Sequence, residues 1–325
     1  MGFFQTMYHP AWYHGHGVSP PFFEGWYYKL VDASEAHRFA IIPGIFKSRD
    51  PAEHHAFVQV LDGGANHATY HRYPAADFHA AQDALDVRVG PNAFTYDGIQ
   101  LEIETDERSV RGQLRFEGLT PWPVTFLLPG VMGPFAWLPF LETYHGILSF
   151  DHGIQGTLQV DGREIDFSGG RGYMEKDWGR SFPAAWVWFQ SNHFDAPETC
   201  VTASVALIPL LGTVFRGFII GLWHGGQLHR FATYSGARVE ALSIQESEVT
   251  WVVRNRAERL EMRARRTEVG LLRGPSLTDM GVRVPETLQA EVTVRLSSLK
   301  SGETIFEGTG RNGGLEVAGE WKKLL

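Results

Sequence analysis

One cysteine, Cys200, stands in a chain of 325 residues. No internal disulfide is therefore available, and the chain suits a reducing compartment. Set between Thr199 and Val201, this thiol is expected to be packed rather than nucleophilic. With no cysteine beside them, the histidines (the pair His14 and His16, adjacent His54 and His55, isolated His145 and His152) show no structural-zinc spacing, and no metal is expected. A catalytic site scattered over several strands stays open. Cationic residues are also scarce: 29 Lys and Arg face 37 Asp and Glu, a net charge of −8. That balance argues against a nucleic-acid partner, which demands a surplus of cations. The whole deficit lies in residues 1–160, with 9 Lys and Arg against 17 Asp and Glu, whereas the remainder holds 20 of each. The chain has no Walker loop, no G-x-G-x-x-G after a strand and no G-x-S-x-G elbow, which speaks against nucleotide and serine-hydrolase chemistry. Met1–Thr6 lacks a basic region followed by an apolar one, so no secretory signal is expected.

One run, Gly118–Leu141, carries no charge and is long enough to span a bilayer. Pro121, Pro123, Pro129, Pro134 and Pro139 bar it from being a transmembrane helix, since each removes a backbone donor. Two readings remain: a buried crossing between strands, or an exposed apolar lip that meets lipid.

What the sequence has in quantity is alternation, in a chain that is 43% hydrophobic. Ile99, Leu101 and Ile103 alternate with Gln100, Glu102 and Glu104; Leu114 and Phe116 alternate with Arg115 and Glu117. Period two of this kind marks half-buried strands. Hairpin chemistry separates them at Gly90-Pro91-Asn92, Asp97-Gly98, Asp161-Gly162 and Gly225-Gly226. Only Ala257–Arg266 also fits a helix, and even there Leu260, Met262 and Ala264 alternate. The pattern predicts an all-β chain of antiparallel meanders closed into barrels. A weak repeat predicts two of them. Phe23–Leu30, Asp32–Arg38 and Phe39–Pro43 match Trp186–Phe194, Asp195–Thr199 and Val201–Pro209: aromatic strand, polar turn, apolar strand ending at proline. Domains are expected at residues 1–168 and 169–325.

Three segments carry candidate chemistry. On a strand over Phe22–Leu30, side chains of Phe22, Glu24, Trp26, Tyr28 and Leu30 share a face. Glu24 is thus either a desolvated acid with a raised pKa, or a rim residue that caps amides or pairs with arginine. Trp186, Trp188, Gln190 and Asn192 share a face of the second aromatic strand, as a cavity wall or as a core with bonded amides. Between them, Glu175-Lys176-Asp177 beside Trp178 is either an exposed turn or a buried cluster, with both carboxylates on one face and Lys176 opposite.

The stretches Tyr13-His14-Gly15, Phe22–Lys29, Met132–His145 and Gly172–Phe194 occur in an order that resembles the tocopherol cyclase family. The similarity runs from about Tyr8 to Gly319. It implies two tandem lipocalin-like barrels around a hydrophobic small-molecule substrate. It also implies a cofactor-independent ring closure of a prenylated hydroquinone to a chromanol, with no redox change. Such a reaction needs an acid for the alkene, a base for the phenol and stabilisation of the cationic carbon. The resemblance offers Glu24 or Glu175 as acid and Asp177 or His145 as base. Trp26, Tyr28, Trp178 and Trp188 would stabilise the cation, with contacts worth about 0.5–2 kcal/mol each, and Trp186, Gln190 and Asn192 would complete the binding surface. Plant-type members have asparagine where this chain has Asp177, which points to a different substrate. A cytoplasmic setting is expected, with peripheral membrane contact open. The alternative is a non-catalytic lipocalin-type carrier of a lipid or isoprenoid.

Overall fold

The computed structural model describes residues 3–210 and 212–325. The first sheet contains β1 (Phe22–Val31), β2 (Arg38–Lys47), β3 (His55–Asp62), β4 (His67–Pro74), β5 (Phe78–Ala80) and β6 (Asp86–Val89). It continues with β7 (Asn92–Thr95), β8 (Gly98–Glu104), β9 (Ser109–Glu117), β10 (Thr143–Val160), β11 (Arg163–Asp166) and β12 (Gly170–Gly179). The second contains β13 (Ala185–Ser191), β14 (Cys200–Leu210), β15 (Thr213–His224), β16 (Gln227–Ala232) and β17 (Arg238–Ile244). Then follow β18 (Glu248–Arg254), β19 (Glu258–Arg265), β20 (Gly270–Gly274), β21 (Val282–Ser298) and β22 (Thr304–Gly319). The fold is all-β, of two large antiparallel, lipocalin-like sheets.

Local chemistry explains the hairpins. Asp161 and Gly162 have φ of 51° and 79°, and Gly225 and Gly226 have 55° and 76°. Two consecutive positive values match a turn whose twist suits the flanking strands. The ambiguous segment is strand: Leu260, Met262 and Ala264 are buried on β19 and join the core around Trp251, Val292 and Val294.

Both sheets share one plan, in which the first strand pairs with the last. β1 lies between β2 and β12, and β13 lies between β14 and β22. This plan moves the expected domain seam. The chain forms two compact units, residues 1–182 with 271–283, and residues 183–270 with 284–325. The expected division after residue 168 would have cut β12 from the centre of its own sheet. In the first unit Gln59 donates to the Arg273 carbonyl at 2.9 Å, and the Arg273 amide donates back at 2.8 Å. Met280 packs with Phe23, Phe46 and Phe57.

The proline-rich segment is covered in part and exposed in part. Trp122, Val131, Ala136 and Leu141 are buried, whereas Phe126 and Leu127 are 80% and 72% exposed at the tip of a hairpin. That tip is closed by mutual bonds between Thr125 and Leu128 of 2.9 and 3.2 Å. Tyr8 stacks on Phe126 at 6.3 Å. Among the described residues no helix is long and apolar enough to cross a membrane.

Candidate active site

The three motif-bearing strands of the first unit, β1, β12 and β10, are neighbours. β1 and β12 are buried on both faces, so their charged residues are held inside. The register sets Glu24 opposite Trp178, Trp26 opposite Lys176, and Tyr27 opposite Glu175. On the other side His145 lies opposite Asp177, and Tyr144 opposite Trp178. Directly opposed residues share a face, so two clusters form on opposite faces of the same strands.

The first cluster centres on Glu24, which has no exposed surface. Its Oε1 accepts from the Lys176 ammonium, which also donates to the Trp12 carbonyl. The His14 amide donates to both carboxylate oxygens at 3.1 and 2.9 Å. His14 Nδ1 lies 2.9 Å from Lys176 Nζ, and Nε2 lies 3.2 Å from the Thr6 carbonyl. An Nε2-protonated, neutral ring satisfies both contacts, and burial, reinforced by Lys176, pulls the His14 pKa down to about 4. Lys176 Nζ sits 5.0 Å from the Trp26 ring and 4.8 Å from that of Trp178. Trp178 is itself layered between His14 at 4.2 Å and Tyr144 at 5.5 Å.

Of the two readings of Glu24, the desolvated acid with a raised pKa is overturned and the amide-bonded, paired carboxylate holds. Burial does push the carboxyl up, but the Lys176 charge and the His14 contacts outweigh it and hold the pKa below the ordinary value. Burial draws Lys176 down to about 8 against the pull of Glu24. Both partners are charged at neutral pH. Amide capping, one form of the second reading, is met by the His14 amide, but the charged partner is a lysine rather than an arginine, and the place is the interior rather than a rim.

The second cluster contains His145, Glu175 and Asp177. Glu175 and Asp177 share a face with Lys176 opposite, as the alternation predicts. His145 Nδ1 lies 2.8 Å from Asp177 Oδ1, and its Nε2 lies 3.6 Å from Glu175 Oε2. The same Oε2 accepts from the Tyr173 hydroxyl. Glu175 is 5% exposed, and Asp177 reaches the partly open end. The Asp177 contact suits Nδ1–H of His145 and aims Nε2 at Glu175. The order Asp177, His145, Glu175, Tyr173 has the chemistry of a proton relay. One donor atom from each of His145, Glu175 and Asp177 lies within 4.8 Å of the others, a set able to hold a cation. The imidazole directs its two nitrogens at two different carboxylates, however, which suits proton transfer better than convergence on one ion.

Glu24 and Glu175, foreseen as alternative acids of one site, are thus separated by the sheet itself. Trp26, Tyr28 and Trp178 lie on the Glu24 face; Tyr28 packs 5.9 Å from both Phe94 and Phe116 in the interior of the first unit.

In the second unit, Val187 and Phe189 enter the core, leaving Trp186, Trp188 and Gln190 on the other face of β13, while Asn192 lies just past the end of that strand. Trp186 Nε1 donates to Glu316 Oε2 at 2.5 Å, and Gln190 Nε2 to Cys200 Sγ at 3.7 Å. Asn192 Oδ1 lies 3.0 Å from His193 Nδ1. Glu316 stands opposite both Trp188 and the fully buried Glu286. Cys200 is buried, as its setting predicts.

The sequence reading missed Tyr173, Lys176 as a partner, His14 as a ligand of Glu24, and the Glu286–Glu316 pair. Tyr173 had a signal, since it lies two residues before Glu175 and so on its face. Lys176 and the Glu286–Glu316 pair meet their partners through strand pairing, and His14 reaches Glu24 from the non-strand segment before β1.

The fold is all-β and lipocalin-like, with His145, Glu175 and Asp177 gathered on one face of the first sheet. The tocopherol cyclase-like family matches residues 93–319, and the chain belongs to that family. His145, Glu175 and Asp177 fall inside this range; Glu24 precedes it. The chloroplastic tocopherol cyclase of Zea mays is 28% identical over 209 residues, covering 58% of this chain and 41% of that protein. The chain thus spans less than half the length of that relative. Among solved structures, CghA with Sch210972 aligns with a TM-score of 0.57 at 13% identity, covering 93% of this chain and 89% of that one. Kievitone hydratase from Nectria haematococca aligns at 0.51 and 14% identity, covering 97% and 95%. These likenesses concern the fold.

Proposed function

We propose that the chain is a cofactor-independent cyclase that closes a chromanol-type ring on a prenylated hydroquinone or related isoprenoid. Family membership supports a cyclase-like activity. The observation that carries the mechanism is His145, set between Asp177 at 2.8 Å and Glu175 at 3.6 Å. In the proposed step Glu175 gives a proton to the less substituted alkene carbon, and the phenol oxygen bonds to the more substituted one. The phenolic proton leaves to His145, which Asp177 orients, and returns to Glu175. The O–H bond and the alkene π bond break, one C–H and one C–O bond form, and no oxidant is needed. The exposed tip at Phe126 and Leu127 is proposed to rest on a lipid surface, where such substrates dissolve.

The test is turnover of a prenylated hydroquinone in deuterated water. Cyclisation adds one deuterium at carbon, and Glu175→Gln lowers the rate by about 10²–10⁴-fold, the range of a lost general acid. The carrier reading draws on one observation, the commitment of Glu24 to an ion pair. Saturable binding of a quinol panel without any deuterium at carbon would favour the carrier and sink the cyclase.

A further inference from the structure

A cavity of about 410 Å³ opens in the first unit, lined by residues that include Tyr13, His16, Lys47, His54 and Phe78. Neither the relay nor any residue assigned above to substrate binding lines it. Its size falls within the range of small-molecule sites.

The wall has an unusual charge. The chain holds 37 Asp and Glu, yet none lines this cavity, and Lys47 is the one Lys or Arg that does. Lys47 Nζ donates to the Tyr13 hydroxyl at 3.1 Å and lies 5.8 and 5.9 Å from the Tyr13 and Phe22 ring centroids. Among the described residues no carboxylate comes within ion-pair distance of it. Glu24, the acidic group whose field reaches Lys47, is already neutralised by Lys176. Tyr13 accepts from Lys47, so its own proton remains to be donated. Burial, with Glu24 adding to it, raises the Tyr13 pKa and keeps that hydroxyl protonated. Two donors from adjacent side chains thus meet at one point, the arrangement that a carboxylate accepts with its two oxygens.

Flat surfaces surround this point. Tyr13 packs against Phe78 at 5.2 Å and His16 at 4.7 Å. Gly15 makes the packing possible, since a Cβ there would lie 2.3 Å from the Tyr13 hydroxyl. The Tyr13-His14-Gly15 motif therefore serves two places: His14 holds Glu24, and Tyr13 with Gly15 shapes this cavity.

We propose that this cavity is a separate binding site for a small aromatic carboxylate, with Lys47 and Tyr13 holding the carboxylate and Tyr13 and Phe78 flanking the ring. The site does not depend on the cyclase reading.

The experiment titrates the full chain with 2-naphthoate and, in parallel, with neutral 2-naphthamide, by calorimetry. Saturable binding of the carboxylate is expected, with the amide at least about tenfold weaker, equivalent to about 1.4 kcal/mol. Lys47→Met should weaken the carboxylate by a similar factor, Lys47→Arg should retain much of it, and Glu175→Gln should leave it unchanged. Absent or non-saturable naphthoate binding, or equal binding of acid and amide by the unaltered chain, would overturn the proposal whether or not Lys47→Met folds. Loss on Glu175→Gln with none on Lys47→Met would overturn it too, by assigning the ligand to the relay.

Discussion

A carboxylate with no exposed surface stays ionised only if its surroundings replace the water it has lost. Glu24 receives that replacement from one ammonium and one backbone amide. Breaking a buried pair by removing one partner costs about 3–5 kcal/mol, because the survivor remains charged and unmatched. Glu24→Leu and Lys176→Met should each destabilise on that scale, while the double variant Glu24→Leu/Lys176→Met should lose less than the sum. Urea unfolding of the three proteins measures this, and strict additivity would show that the two residues are not coupled. Histidine protonation adds a pH dependence. Burial lowers His14 to about 4 and His152 to about 3, both below the ordinary value of 6.5. Between the ordinary and lowered values the unfolded chain binds protons that the folded chain refuses, so stability falls as pH drops below about 6.5. Each histidine contributes about 1.4 kcal/mol per pH unit. The Glu24 contribution, present above the ordinary carboxylate pKa, is lost at still lower pH as it titrates. His152, packed 4.6 Å from Phe116, lies outside the Glu24 cluster and gives the cleaner test. His152→Asn should flatten the decline between pH 7 and 5 by about one proton, and an unchanged slope would contradict the assignment.

At the scale of the strand, what the sequence made legible was facing, and what it hid was pairing. Period two placed Glu24 with Trp26 and Tyr28, and Glu175 with Asp177 away from Lys176, because alternation is a property of one strand alone. It would also have placed Tyr173 beside Glu175. It could not put Lys176 next to Trp26, since that contact depends on β12 returning to β1 after more than a hundred residues. Two acids that look equivalent in sequence therefore fall on opposite faces of one sheet. The proline-rich segment was ambiguous for a related reason: five prolines exclude a transmembrane helix without saying which apolar side chains find cover. Trp122 and Leu141 find it; Phe126 and Leu127 do not. Two backbone bonds between Thr125 and Leu128 close the tip, which lowers the cost of resting it on an apolar layer. Phe126→Ser/Leu127→Ser should reduce co-sedimentation with zwitterionic lipid vesicles and leave thermal stability nearly unaltered. Equal co-sedimentation of the variant would remove the lipid contact from the proposal.

Across the whole molecule, the repeat of aromatic strand, turn and apolar strand was legible because β1–β2 and β13–β14 are local hairpins. The strand that completes each sheet was not, because β12 and β22 join β1 and β13 from far along the chain. The seam read after residue 168 consequently fell one strand too early. The return of residues 271–283 to the first unit was hidden as well, since its links, such as the Gln59–Arg273 pair of bonds, are long-range. This topology predicts how the chain can be divided. Residues 1–168 lack Lys176, leave Glu24 buried without its counter-charge, and remove the partner that β1 and β10 share; this fragment should not fold cooperatively. Residues 1–182 restore β12 but leave Phe23, Phe46 and Phe57 without Met280. The Phe182 amide bonds the Pro275 carbonyl at 3.1 Å, so a short Gly/Ser linker from Phe182 to Leu271 can replace residues 183–270. The linked chain ending at Arg283 should show one sharp thermal transition, with residues 1–182 alone melting lower and more broadly. If residues 1–168 melt as sharply as the linked chain, then β12 is dispensable to the first unit and the Glu24–Lys176 pair does not organise it.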